Sequence, residues 1–341
     1  MSKERASIRR VGGLLPWLLL PLVVCAACLA GRYPMTAGDL LAILTAGLSG
    51  HDSGRPAAME LVVWDLRLPR VAAGLAIGAA LGAAGATYQS LFRNPLVSPD
   101  ILGVSAGASL GAVVAILLVL PAIAIQAAAF LGGLAAVGTV YLTALWVRGR
   151  DPLLLLVLAG VAVGSLFGAG VALVKVLADP YDQLPAITFW LLGSLAAVRG
   201  SDLLNAFGPL ALGLAPLVLL RWRVNLMTLP EEEAKALGVP TAPLRVALVA
   251  GATLMTSAAV ALAGVVGWIG LVVPHVARLL VGPDFRRLLP AAMALGGGFL
   301  VLVDTLARSV VTREIPLGVL TAGVGAPFFL WLLARARHQW A

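Results

Sequence analysis

Residues 67–120 read RLPRVAAGLAIGAALGAAGATYQSLFRNPLVSPDILGVSAGASLGAVVAILLVL, and this stretch decides the fold. From Val71 to Leu91 no residue is charged, a run long enough for a helix to cross a hydrocarbon core of about 30 Å. A turn carrying Pro95 and Pro99 follows, and a second charge-free run begins at Ile101. Glycine recurs every fourth residue, at Gly74, Gly78 and Gly82 and again at Gly103, Gly107 and Gly111. Small residues at this spacing line one helix face and let neighbouring backbones approach. Two antiparallel apolar helices with small faces are the unit of a tightly packed membrane bundle.

The remainder of the chain repeats that unit. Of the 341 residues 60% are apolar and only 12% charged, against about 45–50% and about 25% in soluble domains. Spans are predicted at about 13–31, 69–90, 99–119, 123–147, 153–177, 203–221, 244–264, 268–282, 289–309 and 316–334. They leave no room for a sizeable soluble domain, so residues 1–341 are read as one all-α, polytopic transmembrane domain of about ten helices. The segment 1–31 resembles a signal peptide at its start, but the apolar run continues past Leu29 and is read as an uncleaved first helix. Cys25 and Cys28 lie in it as two inert thiols. The glycine spacing returns at Gly160, Gly164 and Gly168, and for all three series tight packing and the lining of a wide path are both open readings.

The net charge of +8 comes from arginines scattered over short loops, which argues for positive-inside asymmetry rather than nucleic-acid binding. With the N-terminus in the cytoplasm, fifteen of the 24 Lys and Arg residues fall inside and eight outside, leaving Arg278 unassigned. A nine-span threading without the short 268–282 segment would put Arg335 and Arg337 outside, so ten spans and two cytoplasmic termini are preferred. Two pieces do not span. Leu184–Val198 is too short to cross and return, and reads as a short outer helix. Between 224 and 241, Pro230, Glu231, Glu232, Glu233 and Lys235 followed by Gly238 and Pro240 describe a short capped helix on the cytoplasmic side. Arg70-Val71-Ala72 and Arg245-Val246-Ala247 each open a span leading to a proline-containing turn. The two spans run in opposite directions, as an inverted repeat requires.

Several segments are not generic membrane sequence: Arg67-Leu68-Pro69-Arg70, Gln89, Arg93-Asn94-Pro95-Leu96-Val97-Ser98-Pro99 and Gly103-Val104-Ser105-Ala106-Gly107. Near the other end stand Gly267-Trp268-Ile269-Gly270-Leu271-Val272-Val273-Pro274-His275 with Arg278, Asp304 with Arg308, Glu314-Ile315-Pro316-Leu317-Gly318 and Gly325-Ala326-Pro327-Phe328. In this order they resemble the permeases of iron-siderophore, haem and cobalamin importers, the FecCD type, over about residues 60–335. The resemblance implies a ten-helix subunit of an ATP-binding-cassette (ABC) importer in a bacterial inner membrane. It pairs with a second permease subunit, usually an identical copy, with two ATPase subunits on the cytoplasmic side and a periplasmic binding protein outside.

The resemblance also implies roles. Arg67, Arg70 and Arg308 stand where family arginines meet acidic residues on the binding protein; planar guanidinium forks suit such carboxylates. The plain alternative is that they snorkel and anchor helix ends. Asn94, Pro95 and Leu96, with Arg150, Asp151 and Pro152, match two turns that gate the cytoplasmic mouth, or else are ordinary loops in which proline breaks a helix. Pro230, Glu231, Glu232, Glu233, Ala234, Leu237 and Gly238 match the helix that couples to the ATPase; a solvated acidic turn is the alternative.

Other polar residues have plainer readings. Asp304 and Arg308, four apart, are expected to pair within one helix. His275 reads as a structural hydrogen-bonding residue, and Lys175 as a helix-end group that reaches water. No phosphate-binding G-x-x-x-x-G-K-[ST] sequence occurs, so ATP is expected to be used by a partner and no cofactor is expected on this chain. An ion-coupled secondary transporter is the rival reading; it needs an intramembrane carboxylate, for which Asp304 is the one candidate. Ferric siderophore leads on family frequency, followed by cobalamin-type corrinoids, haem and molybdate. Haem importers of this family often carry an Arg just before the Phe-Trp pair, and Leu184-Pro185-Ala186-Ile187-Thr188-Phe189-Trp190 has none.

Overall fold

A computed structural model describes residues 3–147, 152–311 and 313–336. Among these, every regular element is a helix: α1 (Lys3–Leu29), α2 (Ala37–Ser49), α3 (Ala57–Leu61), α4 (Leu68–Leu91), α5 (Val104–Leu117), α6 (Ala122–Val147), α7 (Pro152–Leu177), α8 (Gln183–Leu192), α9 (Gly200–Leu219), α10 (Arg221–Met227), α11 (Glu231–Ala236), α12 (Thr241–Ala263), α13 (Ile269–Val281), α14 (Phe285–Ser309) and α15 (Leu317–Ala336). A π-helical turn, Val62–Arg67, welds α3 to α4, and a 3₁₀ turn, Pro99–Leu102, leads into α5. Six helices are long and apolar enough to cross a membrane: the joined Ala57–Leu91, α6, α7, α9, α12 and α14. Shorter apolar helices at Leu14–Leu29, Val104–Leu117, Ile269–Val281 and Leu317–Leu332 fall on the other four predicted spans.

The bundle is built around α4 and α12, whose apolar windows are 78% and 72% buried, against 17% for α7 and α9. Small residues make this possible. A Cβ on Gly78 would come within 2.1 Å of the Gly296 carbonyl oxygen, and one on Gly82 within 2.4 Å of that of Ala292, so α4 and α14 meet backbone to backbone. Gly85 stands likewise against the Gly270 carbonyl of α13, which Pro274 deprives of its intrahelical donor. Gly107 and Gly111 pack on Gly132 and Ala128 of α6. The third glycine series divides: Gly160 is pressed against Ile101, whereas nothing lies within 4 Å of a Cβ at Gly168. The α7 face at Gly168 is therefore open.

The short outer helix expected in Leu184–Val198 is present as α8 and ends at Leu192. The inner loop holds two short helices, α10 and α11, rather than one. The largest departure lies between the first two spans. There α2 forms on a capping box in which Thr36 accepts from the Asp39 N–H and Asp39 accepts from the Thr36 N–H, and it stops at left-handed Gly50. The second long helix starts at Ala57, twelve residues before the predicted boundary.

Candidate functional site

At the end of the bundle that the charge count assigns to the outside, Arg67 of the π turn, Arg70 of α4, Asp304 and Arg308 of α14, and Glu314 converge. Arg67 is only 4% exposed. Its Nη1 donates to the carbonyls of Cys28 (2.6 Å) and Leu29 (3.0 Å), and its Nη2 to that of Tyr33 (2.7 Å). Arg308 reaches the same helix end, donating to the carbonyls of Ala30 (2.8 Å) and Ala27. The last carbonyls of a helix have no intrahelical donor, and two guanidinium groups supply them for α1. Gly31, at φ +151°, sits between the two: a Cβ there would lie 2.9 Å from Nη2 of Arg67.

Arg70 serves two carboxylates. Its Nε and Nη2 donate to Asp304 at 2.8–3.0 Å, while Nη1 and Nη2 donate to Glu314 at 3.0 and 2.9 Å. Asp304 was expected to pair with Arg308 along one helix; that contact exists at 3.6 Å, but the close partner is Arg70 on another helix. The Arg70 bonds hold the Glu314 carboxyl below the usual carboxylate range despite its partial burial. The three arginines that the sequence marks for docking are thus joined in one cluster and turned inward. Of the three, Arg67 has the least surface to offer a partner. Glu314, 38% exposed at the side chain, is the cluster's open edge.

In the middle of the bundle Tyr88 of α4 meets Thr253 of α12 across 3.1 Å, and Gln89 donates to the Leu271 carbonyl of α13 at 3.0 Å. His275 makes no hydrogen bond through Nδ1, which is buried, and sets its ring edge-on to Phe328.

At the opposite end, the turn after α4 is exposed at Asn94 and Leu96. The Asn94 side chain accepts from the Leu96 N–H at 2.9 Å, closing an Asx turn. Arg93 adopts a left-handed conformation, φ +52°, and donates to the Leu229 carbonyl at 3.2 Å. It thereby ties this turn to the residue that precedes Pro230. Pro152 opens α7; Arg150 and Asp151 lie outside the described residues.

The acidic helix α11 is fastened through one face. Ala234 is buried, and Glu231 accepts from Arg245 of α12 at 3.0 Å, from Thr241 at 3.3 Å, and pairs with Lys235 at 3.2 Å. Desolvation raises the Glu231 pKa, but the bonds from Lys235 and Arg245 outweigh it and hold it below the usual range. Glu232, Glu233, Leu237 and Gly238 are exposed, as is Pro230. Sequence reasoning grouped Glu231 and Ala234 with the outward residues. It missed Arg245, which holds Glu231, and Arg93, which holds the Leu229 carbonyl; the Arg-Val-Ala repeat was the available signal for the first.

The family model of the FecCD transport family matches residues 19–335. The chain is 38% identical to the molybdate import system permease MolB of Haemophilus influenzae, covering 94% of each chain. It is 43% identical to the cobalamin import permease BtuC of Halobacterium salinarum over 98% of this chain and 90% of that one. It is 42% identical to the hemin transport permease HmuU of Yersinia pestis over 81% and 84%. Among solved structures, an inward-facing metal-chelate type ABC transporter superposes with a TM-score of 0.85 at 35% identity, covering 95% of this chain and 98% of that one. The chain belongs to the FecCD transport family and is a multi-pass permease of an ABC transporter.

Proposed function

We propose that this permease carries a metal complex from a periplasmic binding protein into the cytoplasm by alternating access, as one of two copies that sit on two ATPase subunits. The observation that carries the reading is the fastening of α11. Glu231 and Ala234 root it on α12, Glu232, Glu233 and Leu237 face away, and Arg93 links its approach to the Asn94–Leu96 turn. A partner pushing on the free face would move the turn as well. The family relatives support an importer of this kind, and the open α7 face at Gly168 leaves space for a path beside a second copy.

Docking of the binding protein is assigned to the outer cluster. A carboxylate arriving from the partner would compete with Glu314 for Arg70, while Arg67 and Arg308 hold the surface in shape through α1. The ion-coupled reading depended on Asp304 as a coupling-ion site, and that carboxylate is committed to Arg70.

Ferric siderophore is the proposed cargo, with cobalamin-type corrinoids, haem and molybdate as the other candidates. Proteoliposomes containing the permease, its ATPase and its binding protein, offered the four substrates in competition, test the order. Selective ATP-dependent uptake of the ferric siderophore supports the order; uptake of haem, molybdate or corrinoid in its place overturns it.

A further inference from the structure

Three arginines at the cytoplasmic edge have no place in the transport machinery described above. Arg221, at the start of α10, and Arg286 and Arg287, at the start of α14, line a cavity of about 200 Å³ together with Asp284. All three arginines are exposed, and none forms an ion pair among the described residues. The cavity is built rather than incidental. Asn225 donates to Asp284 at 2.8 Å and accepts from the Phe285 N–H at 2.8 Å, which locks α10 to α14. Asp284 also accepts from the Arg286 N–H at 3.1 Å on the same oxygen, Oδ1, and its negative charge beside Arg286 and Arg287 still leaves the three arginines in excess.

The surroundings point to lipid. The Arg286 guanidinium lies 5.0 Å from the ring centroid of Trp222, which is 64% exposed. Trp222 terminates a stripe of exposed apolar side chains, Leu204, Phe207, Leu212 and Leu219, on the little-buried helix α9. Such a stripe faces acyl chains, an aromatic residue at its end marks the headgroup level, and basic pockets beside it attract anionic headgroups. A soluble protein partner would meet the charges but not this continuous apolar approach.

We propose that Arg221, Arg286 and Arg287 form a site for the phosphodiester headgroup of an anionic phospholipid of the inner leaflet, with Trp222 at its rim. The site rests on the chain being embedded with these residues at the cytoplasmic face. It does not depend on which substrate is carried. Each basic side chain near an anionic headgroup contributes roughly five-fold to binding, so replacing two costs roughly thirty-fold.

Native mass spectrometry of the full-length permease, released from nanodiscs of mixed phosphatidylglycerol and phosphatidylcholine, reads the retained lipid directly. The wild type is expected to keep phosphatidylglycerol over phosphatidylcholine, R286Q/R287Q to lose that preference by roughly thirty-fold, and R286K/R287K to keep most of it. Should the glutamine variant fail to fold, the lysine variant and the salt sensitivity of wild-type retention remain as readouts. Equal retention of the two lipids overturns the proposal. So does retention unchanged in the glutamine variant, or binding of inorganic phosphate without any lipid preference.

Discussion

Arg67 and Arg308 direct their donors at the carbonyls that end α1, and Arg70 directs its own at Asp304 and Glu314. A charge taken out of water is tolerated only when its hydrogen-bonding groups are matched. Arg67→Met is therefore expected to lower stability by about 3 kcal/mol, since it leaves the Cys28, Leu29 and Tyr33 carbonyls without their donor. The exposed Arg313→Gln is expected to stay within about 0.5 kcal/mol. Thermal unfolding of the detergent-solubilised variants measures both. Glu314 gives a pH test. Its carboxyl is held low by Arg70, so its contribution is present above the ordinary value of 4.5 and is lost as pH falls through the lowered one. Melting temperature should not register this group between about pH 8 and pH 5.5. It should fall in stronger acid, and Glu314→Gln should remove that portion of the acid sensitivity.

Helices meet where glycine permits. Gly78→Leu would drive a side chain into the Gly296 backbone of α14 and is expected to abolish folding or cost well over about 3 kcal/mol. Gly168→Leu, with open space around it, should leave the monomer's stability nearly unchanged while reducing transport if that face borders the path. Expression level in the membrane and uptake, measured side by side, separate the two. The anchor of α11 belongs to this scale as well. Arg245→Gln removes the bond from α12 to Glu231 and is expected to leave ATP hydrolysis by the assembled complex while lowering uptake per ATP several-fold.

Six spans were legible because their helices have the length and apolarity to cross a bilayer, and the four-residue glycine spacing announced the close packing of α4 and α5. What escaped the sequence has physical reasons. Helix α2 is apolar but only 13 residues long, with Arg32, Asp39 and Asp52 around it, so no span was read there, although Thr36-Ala37-Gly38-Asp39 and Gly50 carried its start and stop. The residues 57–68 contain Glu60, Asp65 and Arg67, and those charges hid a helix that continues through a π turn. The partners of Arg70 and Arg93 lie 234 and 136 residues away in the chain, a distance no local pattern encodes.

At the scale of the molecule, α4 and α12 form a core from which two charged ends hang: an outer cluster around Arg70 and an inner one around Arg245, each near the start of a core helix. The two clusters begin at Arg70-Val71-Ala72 and Arg245-Val246-Ala247, the segments read as an inverted repeat. The chain thus has two charged ends, to which the proposed function assigns docking of a delivering protein and coupling to an ATPase. The most direct test is uptake into proteoliposomes that hold the permease with its ATPase, with the loaded binding protein supplied outside. The account predicts accumulation that requires ATP within the lumen and stops when the ATPase is made inactive, whether or not an ion gradient is imposed. Accumulation driven by a proton or sodium gradient across vesicles containing the permease alone would contradict it.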